Sequence, residues 1–463
     1  MGPNLGVLET LTAQDPATGK VGPGLASSWT ISPDATSFTF HLYDGVTFSD
    51  GSPFTADIVK ANFENIQKLG PTASNSGAYL AGLTSITAPD QRTVTVAFAK
   101  PNIQFLQATS APALSILSTG SLAGTAADRC TGKIVGTGPF ILSSYIPHQN
   151  IVLSKRPDYK LAPSTAQHTG AAYLDKIDIR IVSDVTTRTG SLLSGQLDAT
   201  NAVAPQDEAR FDGNGFSVIS RTLPGVVLSL YVNEKKTILQ DQNVRLAIQK
   251  AINRADIVST LYSPHYKPAT SVLSSTTPGY TDFSSQLTYD PITAKRLLDS
   301  AGWTVGPDGI RVRGGQKLAL DVIFGQPQSL ELVQQQLKQV GIQLNLRQLQ
   351  ISQIQPQLVA GNYDLFLGNS SRADPDVLRT LFKQFAIVGS DSPALTAALS
   401  KQAESLDPAA RQQAVTDAQK IVVSNAHVVP ITEFAQVVGQ SSKVNGLSFA
   451  ANSSVRFYDA WLS

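Results

Sequence analysis

Arg372 stands directly ahead of two carboxylates, Asp374 and Asp376, in the stretch GNSSRADPDVL that runs from Gly368 to Leu378. Two carboxylates so spaced invite general acid–base chemistry. A guanidinium fork at a helix start invites a different one: a grip on a carboxylate or another planar acceptor, helped by the unpaired N–H groups and partial positive charge of the helix N-terminus. A plainer role stands beside both. Asp-Pro also opens helices at Asp290-Pro291 and Asp407-Pro408, with the aspartate as cap and the proline, which needs no N–H donor, in the first turn. Asp374 is therefore read as a cap before a ligand contact. That leaves Asn369, Ser370, Ser371 and Arg372 as the informative residues.

Other chemistry is thinly represented. His41, His148, His168, His265 and His427 show no ligand spacing, so no metal site is assigned. Cys130 is the one cysteine, which excludes an intrachain disulfide and a multi-thiolate site. No His-Glu-x-x-His, Walker-type Gly-x-x-x-x-Gly-Lys, Cys-x-x-Cys or Gly-x-Ser-x-Gly motif occurs, and neither a catalytic residue nor a cofactor is assigned. With 15% charged residues and a formal net charge of +1, the chain has no field to attract nucleic acid or an anionic membrane. No run approaches the roughly 18 apolar residues of a membrane helix. The start, MGPNLGVLETL, lacks a basic n-region, an apolar h-region and a cleavage site, so any export signal has been removed or never existed.

The elements that must position these residues follow from periodicity. SFTFHL (Ser37 to Leu42), RTVTVAF (Arg92 to Phe98) and KIDIRIV (Lys176 to Val182) alternate as half-buried strands do. Thr55 is a plausible cap for a helix with Ile58, Phe63 and Ile66 on one face. The glycines of VGTGPF open no helix and read as turn punctuation before a strand. From residue 240 onward the order is helix, strand, helix: NVRLAIQKAINRADIV has apolar residues at helical spacing, DPITAKRLLDSAGW runs from the Asp290 cap to Gly302, and Gly341 and Gly361 each separate a helix from a strand. The stretch from Gly368 is expected to be the loop after the strand YDLFL. At 463 residues the chain is long enough for two or three domains.

In this order, GLASSW, FHLYDGVTFSDGSPFTADIVKANF, VGTGPF, YVNEKKTILQDQNVRLAIQKAINRADIV, YDPITAKRLLDSAGW and QQLKQVGIQL make the chain resemble the family 5 extracellular solute-binding proteins of ABC transporters, the peptide, nickel and opine group. The resemblance covers nearly the whole chain. It implies an α/β, two-lobed periplasmic-binding-protein (flytrap) fold of the large class, with an accessory subdomain in lobe I. Lobe I would be 1-231 with the accessory part at about 30-140, lobe II 232-431, and 432-463 a return to lobe I, with crossings near Leu230 to Asn233 and Pro430 to Glu433. Family members usually begin with a further strand before the segment matching LGVLETLTAQDPATGKVGPGLASSW; that strand is not evident in this sequence, which leaves one edge of the first sheet unassigned.

The resemblance also implies a function: a monomeric receptor, not an enzyme, that closes on a peptide or peptide-like solute and hands it to an ABC permease, with no nucleic-acid partner. Its place would be the periplasm or outer cell surface, with a lipid anchor as an option. In peptide-binding relatives an aspartate grips the ligand amine, a tryptophan lies three residues earlier, and in dipeptide binders an arginine takes the carboxylate. Aligned without gaps, the aspartate falls on Ser371, the tryptophan on Gly368, and the arginine loop on Gln326 and Gln328; a one-residue gap would make Arg372 or Asp374 the counterpart. A strict dipeptide receptor is thereby disfavoured. Glu9, in LET, matches a pocket-edge glutamate and is read either as an amine contact or as an exposed strand-end residue. Tyr231 and Asn233, at the first crossing, complete the candidate ligand contacts. The alternatives are an oligosaccharide, opine or metal-chelate receptor and, further off, a cleft hydrolase.

Overall fold

The computed structural model describes residues 5–201, 203–211, 215–326, 329–384 and 392–463, and the chain divides into two compact units. The first comprises Met1–Ile219, Ala403–Leu406 and Gln436–Ser463, the second Ser220–Gln402 and Asp407–Ala435.

In the first unit, β1 (Ala26–Ile31), β2 (Ser37–Leu42), α1 (Ala56–Leu69), β3 (Leu83–Asp90) and β4 (Thr93–Phe98) give an antiparallel sheet in the order β1-β2-β4-β3, packed with α1. The alternation in SFTFHL explains the inward face: Phe38, Phe40 and Leu42 are buried, with Phe38 and Phe40 edge-on to Phe105. Thr55 occupies the N-cap of α1, but its side chain makes no cap hydrogen bond; Phe63 is buried with Ala56 and Val59, and Ile58 and Ile66, partly buried, pack against the same core. A second sheet, β5 (Phe140–Ile146), β6 (Asn150–Lys155) and β7 (Lys176–Arg180), is antiparallel in chain order. The glycines ahead of β5 do more than punctuate a turn. A Cβ on Gly136 or Gly138 would lie 2.0 Å from the Val7 carbonyl oxygen or 2.3 Å from that of Gly6, so two stretches of backbone touch here because side chains are missing. Then come α2 (Val185–Leu193), β8 (Ala199–Asn201) and β9 (Phe216–Thr222).

The second unit is built on a six-stranded mixed sheet. Its elements are β10 (Gly225–Val232), α3 (Gln242–Ala251), α4 (Arg254–Leu261), β11 (Lys267–Pro268), α5 (Pro291–Ser300), β12 (Ala319–Phe324), α6 (Leu330–Lys338), β13 (Gln343–Gln348), α7 (Ile351–Ala360), β14 (Leu365–Ser371), α8 (Val377–Gln384), α9 (Pro393–Glu404), α10 (Pro408–Ser424) and β15 (Val428–Glu433). The strand order is β11-β15-β10-β14-β12-β13, with β12 parallel to both β13 and β14, and β10 antiparallel to β14 and β15. The expected crossing at Leu230 to Asn233 falls inside this sheet. Leu230 and Tyr231 are paired on both edges, which fixes them as centre, and the chain leaves the unit at Ala435 instead of within β15. The return segment supplies β16 (Ala435–Ser441), which lies between β8 and β9, then β17 (Val444–Asn445), β18 (Val455–Arg456) and β19 (Trp461–Leu462).

Capping accounts for several helix starts. Asp290 and Asp407 accept from the Thr293 and Ala410 N–H groups at 2.8 and 2.7 Å, ahead of Pro291 and Pro408. The helix expected over Asn243 to Val258 is two helices, because Asn253 breaks the run and caps α4 by accepting from the Asp256 N–H at 3.1 Å. At this break Arg254 is buried, and its guanidinium donates to the carbonyls of Pro430, Leu287, Ile252 and Gln249. No described helix is long and apolar enough to cross a membrane.

Candidate functional site

Since β12, β13 and β14 are parallel, their C-terminal ends share one edge of the sheet, where ligands bind in open α/β folds. β14 runs four residues past YDLFL, so Gly368 to Ser371 are strand and not loop. The reason is Gly225, whose φ of +108° brings its backbone against Ser370 and places it opposite Ser371 in the ladder; a Cβ there would lie 2.1 Å from the Ser370 carbonyl oxygen. Along one face of β14, Leu365 and Leu367 are buried in the main core, but the next two residues on that face, Asn369 and Ser371, are exposed. The strand outruns its core and ends as a polar ledge. Ser370, half-buried, faces the other way, and the Phe366 ring lies against the open side of Gly368. Arg372 follows, its N–H donating to the Pro224 carbonyl at 3.2 Å and its guanidinium to Thr380 Oγ1 at 3.1 Å.

The carboxylates beyond the ledge are held by long-range partners. Asp374 is buried and accepts two bonds from Arg411, at 2.8 and 3.0 Å, as well as the Asp376 N–H at 2.8 Å. The bond from the Asp376 N–H is the expected cap-type bond in the turn that leads into α8, and the ion pair with Arg411 is added to it. Asp376, fully buried, receives a bidentate Arg379 at 2.6 and 2.8 Å and the side-chain amide of Gln402. Burial pushes the Asp376 carboxyl up, against the pull of Arg379. These two acids are spent on structure, which corrects Asp374 as a ligand contact.

Glu9, in the first unit, is different. Its Oε1 accepts from the Tyr159 hydroxyl at 2.6 Å, while Oε2 is buried with no hydrogen-bond partner among the described residues. Thr137 Oγ1 is likewise buried and unpartnered; it is close enough to favour the ionised glutamate without meeting hydrogen-bond geometry. Burial raises the Glu9 carboxyl above its ordinary value, and Tyr159, Thr137 and Arg156 lower it in part. Arg156 spends its guanidinium on the Thr47 and Thr137 carbonyls, the Thr47 hydroxyl and Asp158.

The remaining candidates separate cleanly. Gln326 is exposed in the loop after β12, and Gln328 lies outside the described residues. Tyr231 is buried and stacked on Phe366 at 5.6 Å, and Asn233 donates to the carbonyls of Gly361 and Tyr363; both are corrected to packing residues, because a side chain locked in the core cannot meet a solute. Nothing local in the sequence points to Tyr159, Thr137, Arg411 or Gln402, whose partners lie far along the chain. Asp376, in the turn ahead of α8, and Arg379, in its first turn, are three apart, a spacing that is readable as a pair. Among the described residues, no group of three or more His, Cys, Asp or Glu could hold a metal ion.

The sequence pattern of the bacterial extracellular solute-binding proteins, family 5 (Middle), matches residues 20–388, and the chain belongs to that family. A putative ABC transporter peptide-binding protein of Brucella ovis is 28% identical over 441 residues, covering 90% of this chain and 80% of that protein. The probable D,D-dipeptide-binding periplasmic protein DdpA of Escherichia coli is 26% identical over 452 residues, 95% of this chain and 84% of that one. In structure, NikA of Brucella suis in complex with Fe(III)-EDTA matches with a TM-score of 0.84 at 24% identity, over 99% of this chain and 94% of that one, which supports the fold. The chain is thus a solute-binding receptor for an ABC importer, with the periplasmic-binding-protein fold of its family.

Proposed function

We propose that the chain captures a peptide or peptide-like solute and hands it to an ABC permease without turning it over. The observation that carries this reading is the ledge at the end of β14, where Asn369 and Ser371 extend the face of Leu365 and Leu367 beyond the core. An amide and a hydroxyl at strand spacing suit the alternating N–H and C=O groups of an extended peptide, and Arg372 beside them suits a carboxylate. In the other unit, Glu9 Oε2 suits a ligand amine. The receptor acts as a monomer, needs no nucleic acid, and works outside the cell membrane, where a lipid anchor would hold it.

Aligned without gaps, Gly368 and Ser371 fall where the family resemblance implies tryptophan and aspartate, and on that alignment a second reading gains: an anionic opine or metal chelate, held by amides, hydroxyls and Arg372. Native mass spectrometry of protein purified from peptide-rich medium separates the two. A ladder of peptide masses is expected, and a single opine or chelate mass sinks the first reading. In titrations with trialanine, Arg372→Ala should weaken binding about ten-fold, the loss of one charge-assisted hydrogen bond, with little change in Tm; unaltered affinity would remove the ledge from the site.

A further inference from the structure

Glu433, the last residue of β15, is a buried acid that the solute reading does not use. β14 and β15 are both antiparallel to β10, so Glu433 lies at the same edge of the sheet as the ledge. Both of its oxygens accept from Ser275, Oε1 from the N–H at 3.2 Å and Oε2 from the hydroxyl at 2.7 Å. Ser275 belongs to a run of four hydroxyl residues, Ser274 to Thr277, and the other three hold the start of β10. Thr276 Oγ1 donates to the Thr222 carbonyl at 3.0 Å, Thr277 Oγ1 accepts the Gly225 N–H at 2.7 Å, and the Ser274 N–H donates to the Gly225 carbonyl at 2.8 Å. Gly225 stands opposite Ser371 in the ladder, and the Arg372 N–H is bonded to the carbonyl of the adjoining Pro224. One carboxylate, one short loop and one glycine thus connect the end of β15 to the end of β14.

We infer that Glu433 is a positioning residue for the ledge: it pins the loop from Ser274 to Thr277, the loop pins Gly225, and Gly225 sets where Ser371 and Arg372 stand. The consequence for solute affinity rests on the reading of the ledge proposed above. A neutral carboxyl turns one of its oxygens into a donor and can no longer accept on both, so the loop is fully held only while Glu433 is ionised. Burial raises the Glu433 carboxyl above its ordinary 4.5, and the bonds from Ser275 and the charge of Lys267, its ladder partner on β11, lower it in part. Asp282 and Tyr280, from the segment ahead of α5, also face it, and Asp282 adds to the rise. Glu433 therefore takes up its proton above pH 4.5, and the ledge loosens as pH is lowered through that point.

The test reads the ledge directly and then through a solute. Hydrogen exchange of the Gly225, Ser274 and Arg372 amides, corrected for the intrinsic rate, is followed from about pH 7.5 to about pH 5. In the wild type, protection should fall about five-fold as pH is lowered, one hydrogen bond's worth, and trialanine affinity should fall with it. In Glu433→Gln, which cannot titrate and has one acceptor oxygen in place of two, protection should be low and flat across the range; titration of Glu9 or of the solute itself would persist in this variant. Ser275→Ala, at an exposed position, serves if the first variant does not fold, and should flatten the profile in the same way. Protection that is flat in the wild type, or that keeps its pH profile in both variants, overturns the inference. Protection that follows Glu433 while affinity does not upholds the positioning role and removes the ledge from the solute site.

Discussion

The acids of the two units are handled in opposite ways. In the second unit, Asp374 and Asp376 look like the reactive pair of the chain, yet each is buried against its own arginine, Arg411 and Arg379. In the first unit, Glu9 looks like an ordinary strand-end residue, yet one of its carboxylate oxygens is buried without a partner. A conspicuous charge is no guide to an available one. Where the geometry closes both oxygens, the acid builds the fold; at Glu9 it leaves one oxygen without a partner among the described residues.

The contrast can be broken at each point. The largest effect should come from Asp376→Asn, because it removes the charge from a buried pair and sets an amide N–H2 against Arg379 Nη2 in place of an acceptor oxygen; as the Arg379 side chain is still 34% exposed, a loss of about 3 kcal/mol in urea unfolding is expected. A loss near zero would mean that the pair is not structural. Asp374→Ala comes next, at about 2 kcal/mol for charge-assisted bonds from Arg411, with trialanine affinity unchanged. Weakened binding at full stability would return this residue to the ledge.

Glu9→Gln should give the smallest effect and the most diagnostic one. The folded state holds the Glu9 proton more tightly than the unfolded chain, whose ordinary value is 4.5, so the stabilising contribution of the protonated form is complete below that pH and is lost as pH rises through the folded value. Wild type should therefore lose Tm relative to the glutamine variant as pH is raised from 4.5 upward. A difference in Tm that stays flat with pH would show that Glu9 is not buried as described.

What the sequence made legible was local. Asp290, Asp407, Gly341 and Gly361 announced helix ends because their partners lie within a few residues. The capping pattern of Asn253 and Asp256 was equally present and would have split the long helix, had the apolar periodicity not been followed across it. The end of β14 was not legible, since it is set by Gly225, far away in sequence. The fate of Asp374 was hidden for the same reason: Arg411 lies 37 residues on, and no local rule favours it over solvent. Family resemblance identified the kind of protein but not which carboxylate is free.

Arg254 carries a last consequence. Its charge is neutralised not by an acid but by carbonyl dipoles from the end of α3, the turn at Leu287, and β15. Carbonyls neither titrate nor leave, and the site is dry, so ionic strength has little hold on it. The second unit is therefore riveted at its helix break by a contact that should survive both acid and brine, conditions that a protein working outside the membrane meets without the shelter of a cytoplasm.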